Sequence, residues 1–260
     1  MIAGASLTID LDALAANYRA IREQVAPASV AGVVKADGYG LGAAVVARAL
    51  IGEGCRHIFV ALLSEARALL PELHGDAEVY VLNGLLPGAE AACARLGAIP
   101  VLNAFDQVAR WSAQAAAWGR ALPAVLQVDT GMSRMGLPAE EVDKVLAAPD
   151  MLDRLDLRFL MSHLACADDP SDPANAAQAG RFQWLTARFP GVPCSFDNSG
   201  GAFHARGHFD LVRAGIALYC GAPHRGANPM RPVIALDTRI VQSRTIPVGT
   251  GVGYGLTFHA

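Results

Sequence analysis

The chain has 260 residues, a formal net charge of −3 and a pI near 6.1, with 53% hydrophobic residues, 17% charged residues and a mean hydropathy of +0.30. That length accommodates one barrel-sized domain or two smaller ones around a large core. The acidic balance without any lysine/arginine run excludes an electrostatic footprint for nucleic acid, and no apolar stretch reaches the about 18–20 residues of a membrane span.

From Ser6 the alternation SLTIDLDAL reads as a strand, and Asp10 or Asp12 is placed to cap the helix ALAANYRAIREQV that follows. The start, MIAGASLTIDLDAL, lacks the basic segment and hydrophobic core of a secretory signal, so the expectation is a cytoplasmic protein. The segment VAGVVKADGYGLGA, Val30 to Ala43, begins as a buried apolar strand and breaks at Lys35 into a glycine-rich turn leading to the helical run AAVVARALIGEG. A lone lysine near a strand end is more often a solvated surface residue. At the carboxyl edge of a parallel β/α fold, however, loops carry the chemistry, and an amine there, partly desolvated, can form a Schiff base with a carbonyl compound. Gly38-x-Gly40-x-x-Ala43 also fits a dinucleotide turn formally. That reading needs an acidic residue closing a second strand about 20 positions on; Glu53 falls before the strand HIFVAL, and Glu65 falls inside a helical run.

After the lysine strand a strand-then-helix rhythm repeats: HIFVALL with SEARALLPEL, EVYVLNG with PGAEAACARLG, AIPVLN with AFDQVARWSAQAAAWG, LPAVLQVDTG with PAEEVDKVLAA, LDLRFLMSHLA with NAAQAGRFQWLTARF, PCSFDNSGG with a short piece near Phe203, and finally FDLVRAGIALYCG. About eight units close a parallel (β/α)8 barrel; an open doubly wound sheet is the alternative. The expected barrel covers residues 11–222. The proline- and glycine-rich APHRGANPMRP then supplies a linker over 223–230. From 231 to 260 apolar and polar residues alternate without helical period, the beginning of an all-β domain. Residues 1–10 are expected to add a strand to it. Two or three strands leave edges and apolar faces uncovered, so either a partner subunit covers them or the chain is a shortened form of something longer. Cys55, Cys93, Cys166, Cys194 and Cys220 lie far apart with no C-x-x-C pair, which points to reduced cysteines and to no metal site.

The expected rim is rich in polar groups: Arg134 in TGMSRMG, His163 in FLMSHLA, Asn198 and Ser199 in PCSFDNSG, and Arg213 with Gly215 and Ile216 in FDLVRAGIALY. DNSGG either binds an anion with its backbone N–H groups or is an ordinary turn. Tyr39, four residues past Lys35, is expected on the first turn of the next helix, facing the same mouth. Tyr254 stands among four glycines, so its ring is exposed or inserted into another subunit.

VVKADGYGLG resembles the pyridoxal-phosphate lysine motif of the alanine racemase family, and DTGMSRMG, MSHLACAD, FDNSGG, VRAGIALYCG and VGYGLTF resemble further signatures of that family, in order, from about Ile9 to the last residue. The resemblance implies a pyridoxal 5'-phosphate enzyme acting as a homodimer with shared active sites, interconverting L- and D-alanine and supplying D-alanine for peptidoglycan. Lys35 would carry the cofactor and act as base for the D-enantiomer, and Tyr254 of the opposing subunit would be the base for the L-enantiomer. Arg213 would face the pyridine nitrogen, His163 would hydrogen-bond that arginine, and Arg134 would contact the cofactor's phenolic oxygen and the substrate. Tyr39, Ser199, Gly215 and Ile216 would hold the phosphate, with Asn198 supporting the turn. Two bases of similar reference pKa, about 10.4 and 10, suit proton exchange in either direction, once cationic neighbours and desolvation lower both. An arginine at the ring nitrogen would weaken the electron sink and suppress side reactions. Two departures stand out: at Gln127 many relatives carry a lysine, carbamylated in some, that braces the arginine matching Arg134, an ion pair a neutral amide cannot form, and Leu41 stands where a histidine is common. With the remainder of the β domain, family positions for phosphate and substrate carboxylate are missing. The other readings are a racemase of serine or lysine and a catalytically idle cofactor-binding barrel.

Overall fold

The computed structural model describes residues 4–204 and 207–260. Residues 1–3 of the expected N-terminal segment lie outside the described residues. The chain divides into two compact units, one running from Asp10 to Val233 and the other combining the stretch up to Ile9 with Ile234–Ala260. Residues 223–230 therefore belong with the first unit.

In the smaller unit, β1 (Ala5–Ile9) pairs antiparallel with a strand over Ile234–Thr238, in a register running from Ala5 opposite Thr238 to Ile9 opposite Ile234. A second antiparallel pair joins Gly251–Val252 to Phe258–His259.

The larger unit begins at Asp10, whose carboxylate accepts the Ala13 N–H at 2.8 Å and so satisfies one orphan donor of α1 (Leu11–Val25). Buried Asn17 on α1 donates to the carbonyls of Leu218 and Arg231 and accepts the Arg231 N–H, fixing the helix to the end of the barrel. The short apolar runs become strands buried on both faces, as parallel strands under helices must be. They are β2 (Ser29–Val33), β3 (His57–Val60), β4 (Glu78–Val81), β5 (Ile99–Leu102), β6 (Leu122–Gln127), β7 (Leu155–Met161), β8 (Cys194–Ser195) and β9 (Leu211–Ala214). All eight are parallel and close into a barrel, with β2 beside β9. Closure places Ala31 opposite Arg213, so the lysine strand and the arginine strand are neighbours although they stand at opposite ends of the barrel sequence.

Helices between the strands form the outer layer. α2 (Lys35–Tyr39) is a single turn, α3 (Ala43–Gly52) follows it, and α4 (Leu63–Leu73) follows β3. Ala31, Val33, Phe59, Tyr80, Val101, Val125, Phe159 and Met161 fill the barrel interior, and Phe59 stacks on Tyr80 at 4.6 Å between centroids. The apolar contacts of this packed interior make the scaffold rigid enough to hold loops at its rim. No described helix is long and apolar enough to cross a membrane.

Candidate active site

A cavity of about 560 Å³ opens where the strands end, lined by Lys35, Tyr39, Arg134, His163, Asn198, Ser199, Arg213, Gly215 and Ile216, together with Val33, Leu82, Asn83, Gln127 and Met135. Nine of the ten residues singled out from the sequence thus meet in one place. The tenth, Tyr254, lies in the other unit, in a turn over Tyr254–Leu256, with its side chain fully exposed.

Lys35 leaves the end of β2 and enters a turn of unexpected hand. Ala36, Asp37, Gly38 and Tyr39 have φ of 51°, 54°, 65° and 56°, one turn of left-handed helix. This corrects the expectation that Tyr39 sits on the first turn of an ordinary helix; the right-handed α3 starts only at Ala43. Left-handed backbone costs roughly 1–2 kcal/mol for each residue with a Cβ, so the turn must be held from outside. Gly38 is the one position that takes this φ freely, and its backbone packs so closely that a Cβ would stand 3.1 Å from the Ala43 nitrogen. The Asp37 carboxylate accepts the Ala43 N–H at 2.8 Å. The Tyr39 ring packs on Tyr219 at 4.4 Å between centroids, and the Tyr219 hydroxyl donates to the Val33 carbonyl at 3.0 Å. Burial raises both phenols above their ordinary pKa, with Tyr39 adding to the rise at Tyr219, so both are proton donors at neutral pH.

Arg213 is buried, 3% exposed, on β9. Its guanidinium donates to Ser195 Oγ at 2.5 Å, to the Ser162 carbonyl at 2.6 Å, to the Phe196 carbonyl at 3.3 Å and to His163 Nδ1 at 3.1 Å. Desolvation pulls its pKa down to about 10, against the pull of the Asp197 carboxylate, and it remains a cation at neutral pH. Because a guanidinium only donates, His163 Nδ1 must accept, which puts the imidazole proton on Nε2. Burial, followed by the charges of Arg213, Arg134 and Lys35, lowers His163 to about 3, so the ring is neutral. The Asn198 amide nitrogen stands 3.4 Å from His163 Nε2 and donates to the Leu164 carbonyl at 3.3 Å, while Asn198 Oδ1 accepts the Gly201 N–H at 3.1 Å. In this tautomer Nε2 and the amide are both donors, so Asn198 orients its own turn rather than the imidazole.

Ser199, 5% exposed, accepts the N–H groups of Gly215 at 2.9 Å and Ala217 at 3.3 Å on its hydroxyl oxygen. Both lone pairs are used, which leaves the hydroxyl hydrogen to donate toward the cavity. Together with the Tyr39 phenol and the loop after β9, this rim suits an anion. Gly215 is required by close approach, since a Cβ there would stand 2.6 Å from the Tyr39 hydroxyl oxygen.

Arg134 is exposed on a loop after β6 that Asp129 organises by accepting the N–H groups of Gly131, Met132 and Ser133 at 2.8, 3.0 and 3.1 Å. Gln127 donates to the Met135 carbonyl at 3.2 Å. It therefore braces the backbone next to Arg134, a role available to a neutral amide where an ion pair is not. Leu41 is buried, 9% exposed, away from the cavity lining. All five cysteines are free, and no group of metal-ligating side chains occurs among the described residues.

Sequence reasoning passed over Tyr219, Asp197, His208 and Glu65. Tyr219 and Asp197 fall inside motifs read for their neighbours. His208 Nδ1 lies 2.9 Å from Asp197 Oδ2, a buried pair under the Asn198 turn that no spacing advertised. Glu65 was read only as a helix residue, yet its carboxylate accepts the N–H groups of Ala36, Ala61 and Leu62.

Residues 9–223 match the family described as "Alanine racemase, N-terminal domain". An alanine racemase of Brucella canis is 49% identical over 275 aligned positions, covering 100% of this chain and 69% of that protein. A protein of Agrobacterium fabrum named "Alanine racemase, catabolic" is 48% identical, covering 99% of this chain and 67% of its own length. The crystal structure of alanine racemase from Bartonella henselae with covalently bound pyridoxal phosphate superposes with a TM-score of 0.90 at 38% identity, over 99% of this chain and 72% of that one.

Proposed function

The chain belongs to the alanine racemase family, and from that premise we propose that it is a pyridoxal-phosphate-dependent racemase interconverting L- and D-alanine. The observation that carries the reading is the meeting of Lys35, Arg213, His163, Ser199 and Tyr39 around one cavity. These residues fit the cofactor's chemistry. A primary amine and a buried cation line the same cavity, while a hydroxyl with only its hydrogen left to give and a glycine whose Cβ would strike Tyr39 form a close cradle for a phosphate. When bound, the cofactor supplies an electron-withdrawing ring that acidifies the substrate's α-hydrogen.

Lys35 Nζ would hold the cofactor, and its amine would move the α-proton on one face of the substrate. Tyr254 Oη, from a second copy of the chain, serves the opposite face. Arg213, held charged by its four acceptors, opposes protonation of the ring nitrogen; His163, kept neutral, receives an Arg213 N–H without adding charge. Tyr39, Ser199, Gly215, Ile216 and Asn198 bind or support the phosphate, and Arg134 orients the cofactor's phenolic oxygen and the substrate. Ile234–Ala260, with β1, form the β unit that carries Tyr254 to its partner. D-alanine formed in this way supplies peptidoglycan; the relative named "Alanine racemase, catabolic" makes a catabolic role the competing reading.

Reduction with borohydride in the presence of pyridoxal phosphate should label Lys35, and no adduct at that residue would sink the proposal. Tyr254→Phe should keep the adduct and lose racemisation. Mixing Lys35→Ala subunits with Tyr254→Phe subunits should restore activity, since one of the two shared sites is then intact; no recovery would remove the shared-site homodimer. Comparing kcat/KM for alanine, serine and lysine fixes the substrate. Loss of growth relieved by D-alanine, when the gene is disrupted, separates the peptidoglycan role from the catabolic one.

A further inference from the structure

Resting on the assignment of Lys35 as the cofactor lysine, we propose that Glu65 is a positioning residue for it, holding the left-handed turn that aims Lys35 and Tyr39 into the cavity. Glu65 lies in the first turn of α4, and one of its oxygens does what a glutamate there ordinarily does. Oε2 accepts the N–H groups of Ala61 at 2.7 Å and Leu62 at 3.2 Å, capping the helix. Capping does not explain the other oxygen. Oε1 reaches across to the exposed backbone just after the neighbouring strand β2 and accepts the Ala36 N–H at 2.9 Å. That amide is the one joining Lys35 to the turn.

The bond matters because of where it falls. Ala36, Asp37 and Tyr39 all carry a Cβ at positive φ, so the turn is intrinsically unfavourable by several times the thermal energy. Of the contacts that oppose this, Asp37 to Ala43 secures the far side of the turn and Tyr39 on Tyr219 secures the ring. Glu65 supplies the near side, next to Lys35, with a charged acceptor whose hydrogen bonds are stronger than neutral ones. The same carboxylate also grips Ala61, which lines the cavity. One side chain thus ties the lysine turn to the loop after β3. A relaxed turn would shift Lys35 and Tyr39 together, one the anchor of the cofactor and the other part of its phosphate cradle.

The test uses Glu65→Gln. The amide oxygen can keep serving Ala61 and Leu62, while the amide NH2, a donor, faces the Ala36 N–H and cannot accept it. In the cofactor-loaded protein the expected results are a melting temperature close to that of the parent, a dissociation constant for pyridoxal phosphate raised about ten-fold, a shifted pH midpoint for the visible band of the bound cofactor, and kcat lowered more than KM. Adding Ala36→Gly should recover most of the affinity, because glycine takes this φ without steric penalty. Affinity, band and kcat within about two-fold of the parent, or a lowered melting temperature as the sole change, would overturn the proposal and leave Glu65 as a helix cap. So would a double variant showing no recovery, or failure of both variants to fold. Borohydride labelling of Lys35 in the unsubstituted protein is run alongside. A labelled parent with an unaffected Glu65→Gln variant refutes only the positioning role, whereas an unlabelled parent refutes the cofactor assignment on which it rests.

Discussion

Gly215→Ala places a methyl group 2.6 Å from the Tyr39 hydroxyl oxygen, with the next nearest atoms at 3.5 Å (Tyr39 Cζ) and 3.6 Å (Val33 Cβ). Non-bonded heavy atoms rest at about 3.5–4.0 Å, so the whole conflict is with a single oxygen. Tyr39 is 36% exposed, so it can yield toward solvent only by giving up contact with Tyr219, on which its ring lies and whose hydroxyl is bonded to Val33; the penalty therefore falls at the low end of the range for an inserted methyl. Inserting a methyl group into such a setting costs about 1–3 kcal/mol. In a chain of this size each kcal/mol lowers the melting temperature by about 2–4 °C. Removing the oxygen should remove most of this penalty, so Gly215→Ala in a Tyr39→Phe background meets nothing closer than ordinary contact. The assay is a double-mutant cycle of thermal unfolding followed by circular dichroism. Equal losses from Gly215→Ala in the two backgrounds would refute the claim that the phenol oxygen is what requires glycine here.

Arg213→Met should lower unfolding stability by about 1–3 kcal/mol, read from the urea midpoint, because the Ser162 carbonyl loses its buried donor and an unsatisfied acceptor costs about that much. His163 is held neutral in the folded protein with a pKa of about 3, against about 6.5 when unfolded. The unfolded chain therefore takes up an extra proton below pH 6.5, and stability attributable to this group is complete above that pH and lost as the pH falls toward 3, by at most about 1.4 kcal/mol per pH unit. His163→Gln should flatten the urea midpoint against pH across that window, and an unchanged slope would count against a neutral buried imidazole. Asp129→Ala frees the three N–H groups that shape the Arg134 loop. It is expected to lower kcat/KM for alanine about ten-fold through the loss of about 1.4 kcal/mol of ordering, with the melting temperature little changed.

The barrel was legible because each parallel strand, covered on both sides, is written as an unbroken apolar run such as VAGVV or HIFV, followed by a run of helical period. The rim residues were legible for a related reason. Polar side chains directly after an apolar run can lie only at the strand's carboxyl end, and eight such ends share one rim. The hand of the lysine turn was not legible. Of its four residues only Gly38 signals positive φ, and what holds Ala36, Asp37 and Tyr39 there includes Glu65 on another helix and Tyr219, 180 positions later in the chain. Local propensity carries no trace of such distant partners. The Asp197–His208 pair was hidden for a nearer reason: its members lie eleven positions apart in the irregular connection between β8 and β9, where no helical or strand period predicts which side chains meet. The neutral amide of Gln127 is visible in the sequence, but its bond to the Met135 carbonyl depends on the path of the Arg134 loop.

The pairing of β1 with the strand at Ile234–Thr238 joins two stretches with the whole barrel between them. During synthesis the first of these emerges at once and then waits roughly ten to forty seconds, at about 5–20 residues per second, for its mate to be translated. Throughout that interval β1 is a single strand with unpaired backbone groups, open to off-target pairing until Ile234–Thr238 arrives to occupy one of its edges.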